Sequence, residues 1–138
     1  MALTGRVHPL LVHFPIALVL IAAVAELVFL TTQFPKWHMV GVANIRAGAV
    51  FAVASASAGW LLASSRIVEA SPALELHRWL GLAGAVAAVA AALATGEMNR
   101  PPRRLWFYRI ALFWAAALVA VAGHFGAVLV WGADFLRP

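Results

Sequence analysis

Four histidines carry most of the chemistry this chain could perform. His8, His13, His77 and His124 belong to three different apolar segments. Imidazole is a good ligand for haem iron, copper and zinc. A histidine within a bilayer is costly to bury, so it marks a site more readily than it marks packing. Carboxylates are scarce, and the one deep in an apolar run is Glu26. No nucleophile–base arrangement, phosphate-binding loop or pair of catalytic carboxylates is present, so catalysis by the polypeptide itself is not expected. Cysteine is absent, which removes disulfides, thiolate metal sites and covalently attached c-type haem.

The elements that must position these residues are membrane spans. Of the 138 residues, 64% are hydrophobic and 11% charged, and the mean hydropathy is +0.93. That composition belongs to an integral membrane protein. A spanning helix needs about 20 apolar residues. Four runs qualify, at 10–32, 40–63, 74–95 and 105–131, separated by short breaks rich in Pro, Gly and Ser. The expectation is an all-α, four-helix transmembrane bundle, up-down-up-down, forming a single domain over 1–138, with no internal repeat. Arg6 and the run after it resemble a cleaved signal. The run is too long for one, contains Glu26 and follows two histidines, so it reads as a retained helix.

Four spans put both termini on one side. Loops one and three, with the adjoining helix ends, hold Lys36, Arg46, Arg100, Arg103, Arg104 and Arg109. The other side holds Arg6, Arg66, Arg78 and Arg137. Six cations against four place loops one and three in the cytoplasm and both termini in the periplasm of a bacterial inner membrane. The net charge of +5 thus reports orientation and contact with anionic lipid, not nucleic acid. Trp37, Trp60, Trp79, Trp106 and Trp131 lie near segment ends, where indole prefers the interface.

At 1.5 Å per residue, His13 lies about 5 Å inside the first span, His77 near the start of the third, and His124 about 10 Å inside the end of the fourth. These three share the outer leaflet, with His8 just above them. His38 is on the other side and reads as a solvated loop residue. Gly81, Gly84 and Ala88 share a helical face with His77, and Gly123 and Gly126 flank His124. A histidine above a side-chain-poor groove suits a porphyrin, so haem b is the expected cofactor. In an up-down bundle the first and third helices are diagonal, which makes His13 with His77 the first choice of axial pair, and His124 with either the alternative. Arg6, Arg66 and Arg78 are on the right side for propionates. A copper or zinc centre on His13, His77 and His124 is the rival, with Glu75 near enough in sequence to assist. His8 and His13 are five residues apart, about 140° around a regular helix, so they should not face one ligand. Pro15 frees the Leu11 carbonyl and should kink the first helix.

Glu26 and Arg46 have matching depths near the inner face and are expected to form an ion pair or a proton-handling site. The rows Gly48, Ala52, Ser55, Ala56, Gly59 and Gly81, Gly84, Ala85, Ala88, Ala92 read as close helix-packing surfaces.

The stretches His8-Pro9-Leu10-Leu11-Val12-His13-Phe14-Pro15, Leu76-His77-Arg78-Trp79-Leu80-Gly81 and Gly123-His124-Phe125-Gly126 resemble a bacterial family of predicted four-helix membrane proteins with no established function. The resemblance covers nearly the whole chain, and the double-histidine opening is its most specific part. Its relatives occur beside or fused to Rieske-type proteins, c-type cytochromes and sugar-dehydrogenase-like domains. What this implies is electron transfer between a periplasmic redox partner and the quinone pool, with the family's histidines falling on His8, His13, His77 and His124, in an oligomer or as a subunit of a larger membrane complex. Two other readings remain: a proton-coupled small-molecule transporter using Glu26, and a cofactor-free anchor or assembly subunit.

Overall fold

A computed structural model describes residues 7–64, 69–95, 102–132 and 134. Arg6, Arg66, Arg100 and Arg137 lie outside them. Among the described residues there are four helices long and apolar enough to cross a membrane. Helix α1 runs as His8–Leu11 and His13–Thr32, with Val12 between; α2 is Pro35–Ala63, α3 Pro72–Ala94 and α4 Pro102–Trp131.

Each start and stop has a local cause. Proline sits in the first turn of α2 and α3, where its fixed φ suits a helix and its missing N–H is not needed. Ser71 caps α3 by accepting the Leu74 N–H at 3.1 Å. Helix α1 ends at Gln33, in the left-handed region at φ 57°, and α2 starts two residues later. The interruption at Val12 falls three residues before Pro15, where the ring removes a helical donor; the Ile16 N–H to Val12 carbonyl bond is long there, at 3.4 Å.

Helix α1 packs most extensively on α2, and α3 on α4; the two hairpins meet through α2–α3 and α1–α4, leaving α1 and α3 diagonal. The core is made of small residues around a few larger ones: Val19, Ile45 and Leu112 are fully buried among Ala22, Ala88, Ala91 and Ala115. Glycine lets the backbones approach. A Cβ on Gly48 would come within 3.1 Å of Val19, and one on Gly84 within 3.1 Å of Val119. Gly84 therefore serves the α3–α4 contact and is not part of an open cofactor face, a correction to the expectation from helical spacing. Lipid is the natural cover for the outward residues, among them Val50, Leu93, Trp106 and Trp114.

Candidate functional site

Polar side chains gather at both ends of the bundle. At the end where α1 and α3 begin, His8 and His77 turn inward and face each other, with ring centroids 6.0 Å apart and planes at 79°. Both rings are tethered. His8 Nδ1 lies 2.9 Å from the Ser55 carbonyl, and His77 Nδ1 lies 2.8 Å from the Ala122 carbonyl. A carbonyl only accepts, so each Nδ1 carries the proton and donates it, which leaves Nε2 of both rings as a lone-pair donor.

The two hairpins use the same device. A histidine near the start of the first helix reaches a carbonyl of the second helix, and a glycine four residues further on receives the ring. A Cβ at Gly59 would sit 2.8 Å from His8 Cε1, and one at Gly126 would sit 3.1 Å from His77 Cε1. This repetition is invisible as a sequence repeat, because the residues between the shared positions differ. A cavity of about 100 Å³ adjoins the pair, bounded by Ala56, Gly59, Trp60, Arg78 and Gly81 among others. It shares Ala56, Trp60 and Leu82 with a lipid-facing groove of about 470 Å³ between α2 and α3. At Gly81 a Cβ would meet nothing within 4 Å. The Arg78 guanidinium stacks on Trp60, 4.0 Å from the ring centroid, and its Nε is buried without a hydrogen-bond partner among the described residues.

His13 and His124 do not join this pair. Both are exposed, and the ring beside that of His124 is Phe125, at 5.6 Å. The reason is angular. His13 follows His8 by five residues and is rotated about 140° from it, and His124 is rotated about 200° from Ala122 on α4. The expected His13–His77 pair is thus replaced by His8–His77. No group of three or more His, Cys, Asp or Glu among the described residues is placed to hold a metal ion, so His13, His77 and His124 do not form a three-histidine centre. Glu75 is exposed. Gly123 has only ordinary contact in prospect, with Ile16 at 3.4 Å.

The second cluster lies at the other end. Glu26 is 0% exposed. Its Oε1 accepts from Arg109 Nε at 2.8 Å and its Oε2 from His38 Nδ1 at 2.8 Å. Tyr108, also buried, stands edge-on to His38 with centroids 5.6 Å apart, and its hydroxyl lies beside the Glu26 carboxylate but makes no hydrogen bond of good geometry among the described residues. Two expectations are corrected here. His38 is buried, not solvated, because α2 begins at Pro35 and carries His38 into the bundle within its first turn. Arg46 does not pair with Glu26: its Nε donates to Thr95 Oγ1 at 2.9 Å, across the α2–α3 contact. Depth alone could not distinguish Arg46 on α2 from Arg109 on α4, since both helices pack against α1; the rotation of each helix decides which arginine meets Glu26.

A family model described as "Predicted membrane protein (DUF2231)" matches residues 5–135. The chain belongs to this family. Its resemblance to a membrane family of unknown function, read from the histidine stretches, is thereby established. No curated protein matches, and no solved structure does. For this DUF2231 member, function has to be argued from the two clusters.

Proposed function

We propose that this DUF2231 protein is a membrane-embedded b-type haem protein, with His8 and His77 as the axial pair, that passes electrons between a periplasmic redox partner and the quinone pool. One observation carries the reading: two imidazoles from opposite hairpins face each other, each fixed through Nδ1 to a backbone carbonyl. That is the outer-shell bond that orients metal-binding histidines and leaves Nε2 to ligate. Two metal–nitrogen bonds of about 2 Å, with the ring radii added, match a 6.0 Å separation of centroids. Two imidazoles suffice for bis-axial ligation of haem iron, whereas a structural zinc wants four ligands.

Ala56 and Gly81 supply the side-chain-poor surface that a flat macrocycle requires, and Arg78 is the cation at hand for a propionate. Bound haem would supply one-electron chemistry; the chain would supply ligation, orientation and a dry surrounding. The apolar groove along Val53, Ala85, Val86 and Val89 gives a lipid-soluble quinone a route to the pair. The charge distribution supports a periplasmic His8 end. The Glu26 end carries Lys36, Arg46, Arg103, Arg104 and Arg109, while the His8 end carries Arg78 with Glu69, Glu75 and Asp134 among the described residues.

An alanine series tests the pairing. His8→Ala and His77→Ala should each lose haem on purification, while His13→Ala and His124→Ala should keep it. A His8→Ala protein with the full wild-type complement of haem would refute the assignment. A second reading, proton-coupled transport through Glu26, is favoured by the complete burial of that carboxylate. Under it, the purified protein is colourless and Glu26→Gln abolishes substrate-driven proton movement.

A further inference from the structure

The cluster at the Glu26 end has a chemistry of its own. An ionised carboxylate only accepts hydrogen bonds, so His38 Nδ1, 2.8 Å from Glu26 Oε2, carries a proton. In the neutral ring Nε2 is then a bare acceptor, and it has no hydrogen-bond partner among the described residues. The groups around the ring are few. Helix α1 supplies Glu26 and the Phe29 ring, the latter 5.2 Å away between centroids. Helix α4 supplies Tyr108, and Arg109 through its bond to Glu26. Lys36 is the nearest cation on α2 itself in sequence, and Arg46 is engaged with Thr95.

We propose that His38 is a proton-binding site, taking a proton at Nε2 from water at the Glu26 end of the bundle. An N–H bond forms at Nε2, an O–H bond of hydronium breaks, and water is left. Glu26 stays ionised and holds the new imidazolium through the existing Nδ1–H contact, which becomes charge-assisted. Arg109 completes the site. It neutralises the carboxylate while the ring is neutral, so the cluster alternates between no net charge and one positive charge, never exposing an unpaired anion to the apolar interior. The imidazole-on-buried-carboxylate arrangement is the one by which a histidine is oriented to act as a base. Val19, Ile45, Leu112 and Ala115, all 0% exposed, lie between this cluster and the His8–His77 pair, so the proton is exchanged with the near face. The inference does not depend on haem.

The test is nuclear magnetic resonance of the full chain, labelled with 15N and 13C at histidine and held in lipid nanodiscs, as the buffer is acidified. The His38 ring is identified by the signals missing in His38→Gln. The expected result is an Nδ1 that is protonated throughout and an Nε2 that passes from bare to protonated. In Glu26→Gln the preference for the Nδ1–H tautomer should be lost. If that variant does not fold, the wild-type spectra decide alone. A ring protonated at Nε2 in alkaline buffer overturns the proposal. So does an Nε2 that stays bare at every pH at which the fold survives, which would make the cluster a structural ion pair only.

Discussion

Gly59→Ala is the substitution that separates ligand binding from folding most cleanly. The new Cβ would lie 2.8 Å from Cε1, 3.0 Å from Nδ1 and 3.3 Å from Nε2 of His8. The first is closer than such contacts can be, so the imidazole must leave its place. It then loses the 2.9 Å bond to the Ser55 carbonyl, a loss of about 1 kcal/mol. Against this, alanine is favoured over glycine within a helix by about 1 kcal/mol, and Gly59 lies inside α2. The two effects cancel, and the melting temperature should move by no more than about 3 °C. If His8 and His77 ligate haem as proposed, haem retention should nevertheless collapse, because one of the two ligating nitrogens is displaced. Gly126→Ala is milder, with its nearest prospective contact at 3.1 Å from His77 Cε1, and should weaken retention without abolishing it. The assay is haem content per protein alongside thermal unfolding in detergent. A Gly59→Ala protein that folds and carries wild-type haem would refute the reasoning.

Other outcomes follow from the Glu26 end. Glu26→Ala leaves Arg109 without the carboxylate that pairs it, and should destabilise by about 3–5 kcal/mol in thermal or denaturant unfolding; a loss under about 1 kcal/mol would show that the pair is not desolvated. Arg46→Ala should cost less than about 1 kcal/mol, and its effect should add to that of Glu26→Ala, since Arg46 binds Thr95 instead; a clear coupling energy in that double-mutant cycle would restore the Glu26–Arg46 pair. Tyr108→Phe removes a buried hydroxyl that has no hydrogen bond of good geometry among the described residues, so stability should be unchanged or slightly raised; a drop of about 2 kcal/mol would reveal a working partner, the neighbouring Glu26 carboxylate or a bound water.

The spans were legible in the sequence because length and hydropathy determine them: the four runs fall within the observed helices apart from Val12, which interrupts α1, and Thr95, which caps α3. The ends were less so, and the consequence was large for His38. Starting α2 at Val40 leaves that residue in a loop, whereas Pro35 starts it a turn earlier and buries the ring. Depth grouped the outer histidines, yet azimuth decides which of them meet. The five-residue spacing puts His8 and His13 on different helical faces, as they are found, but nothing in the sequence says which of the two turns inward. Gly59 reads as one member of a packing row; its role as the seat of an imidazole depends on the register between α1 and α2. Arg109 and Arg46 are equivalent by depth and both stand on helices that neighbour α1, so only helix rotation decides which of them meets Glu26. Helix-to-helix register and rotation are properties of packing, and a sequence of alanines and leucines specifies them weakly.

The visible spectrum of the purified wild-type protein, expressed with an adequate haem supply, tests the central claim most directly. Ligation by His8 and His77 predicts a Soret band with sharp α and β bands after reduction with dithionite, at one haem per chain. A well-folded, colourless protein that takes up no haem when it is supplied would contradict it.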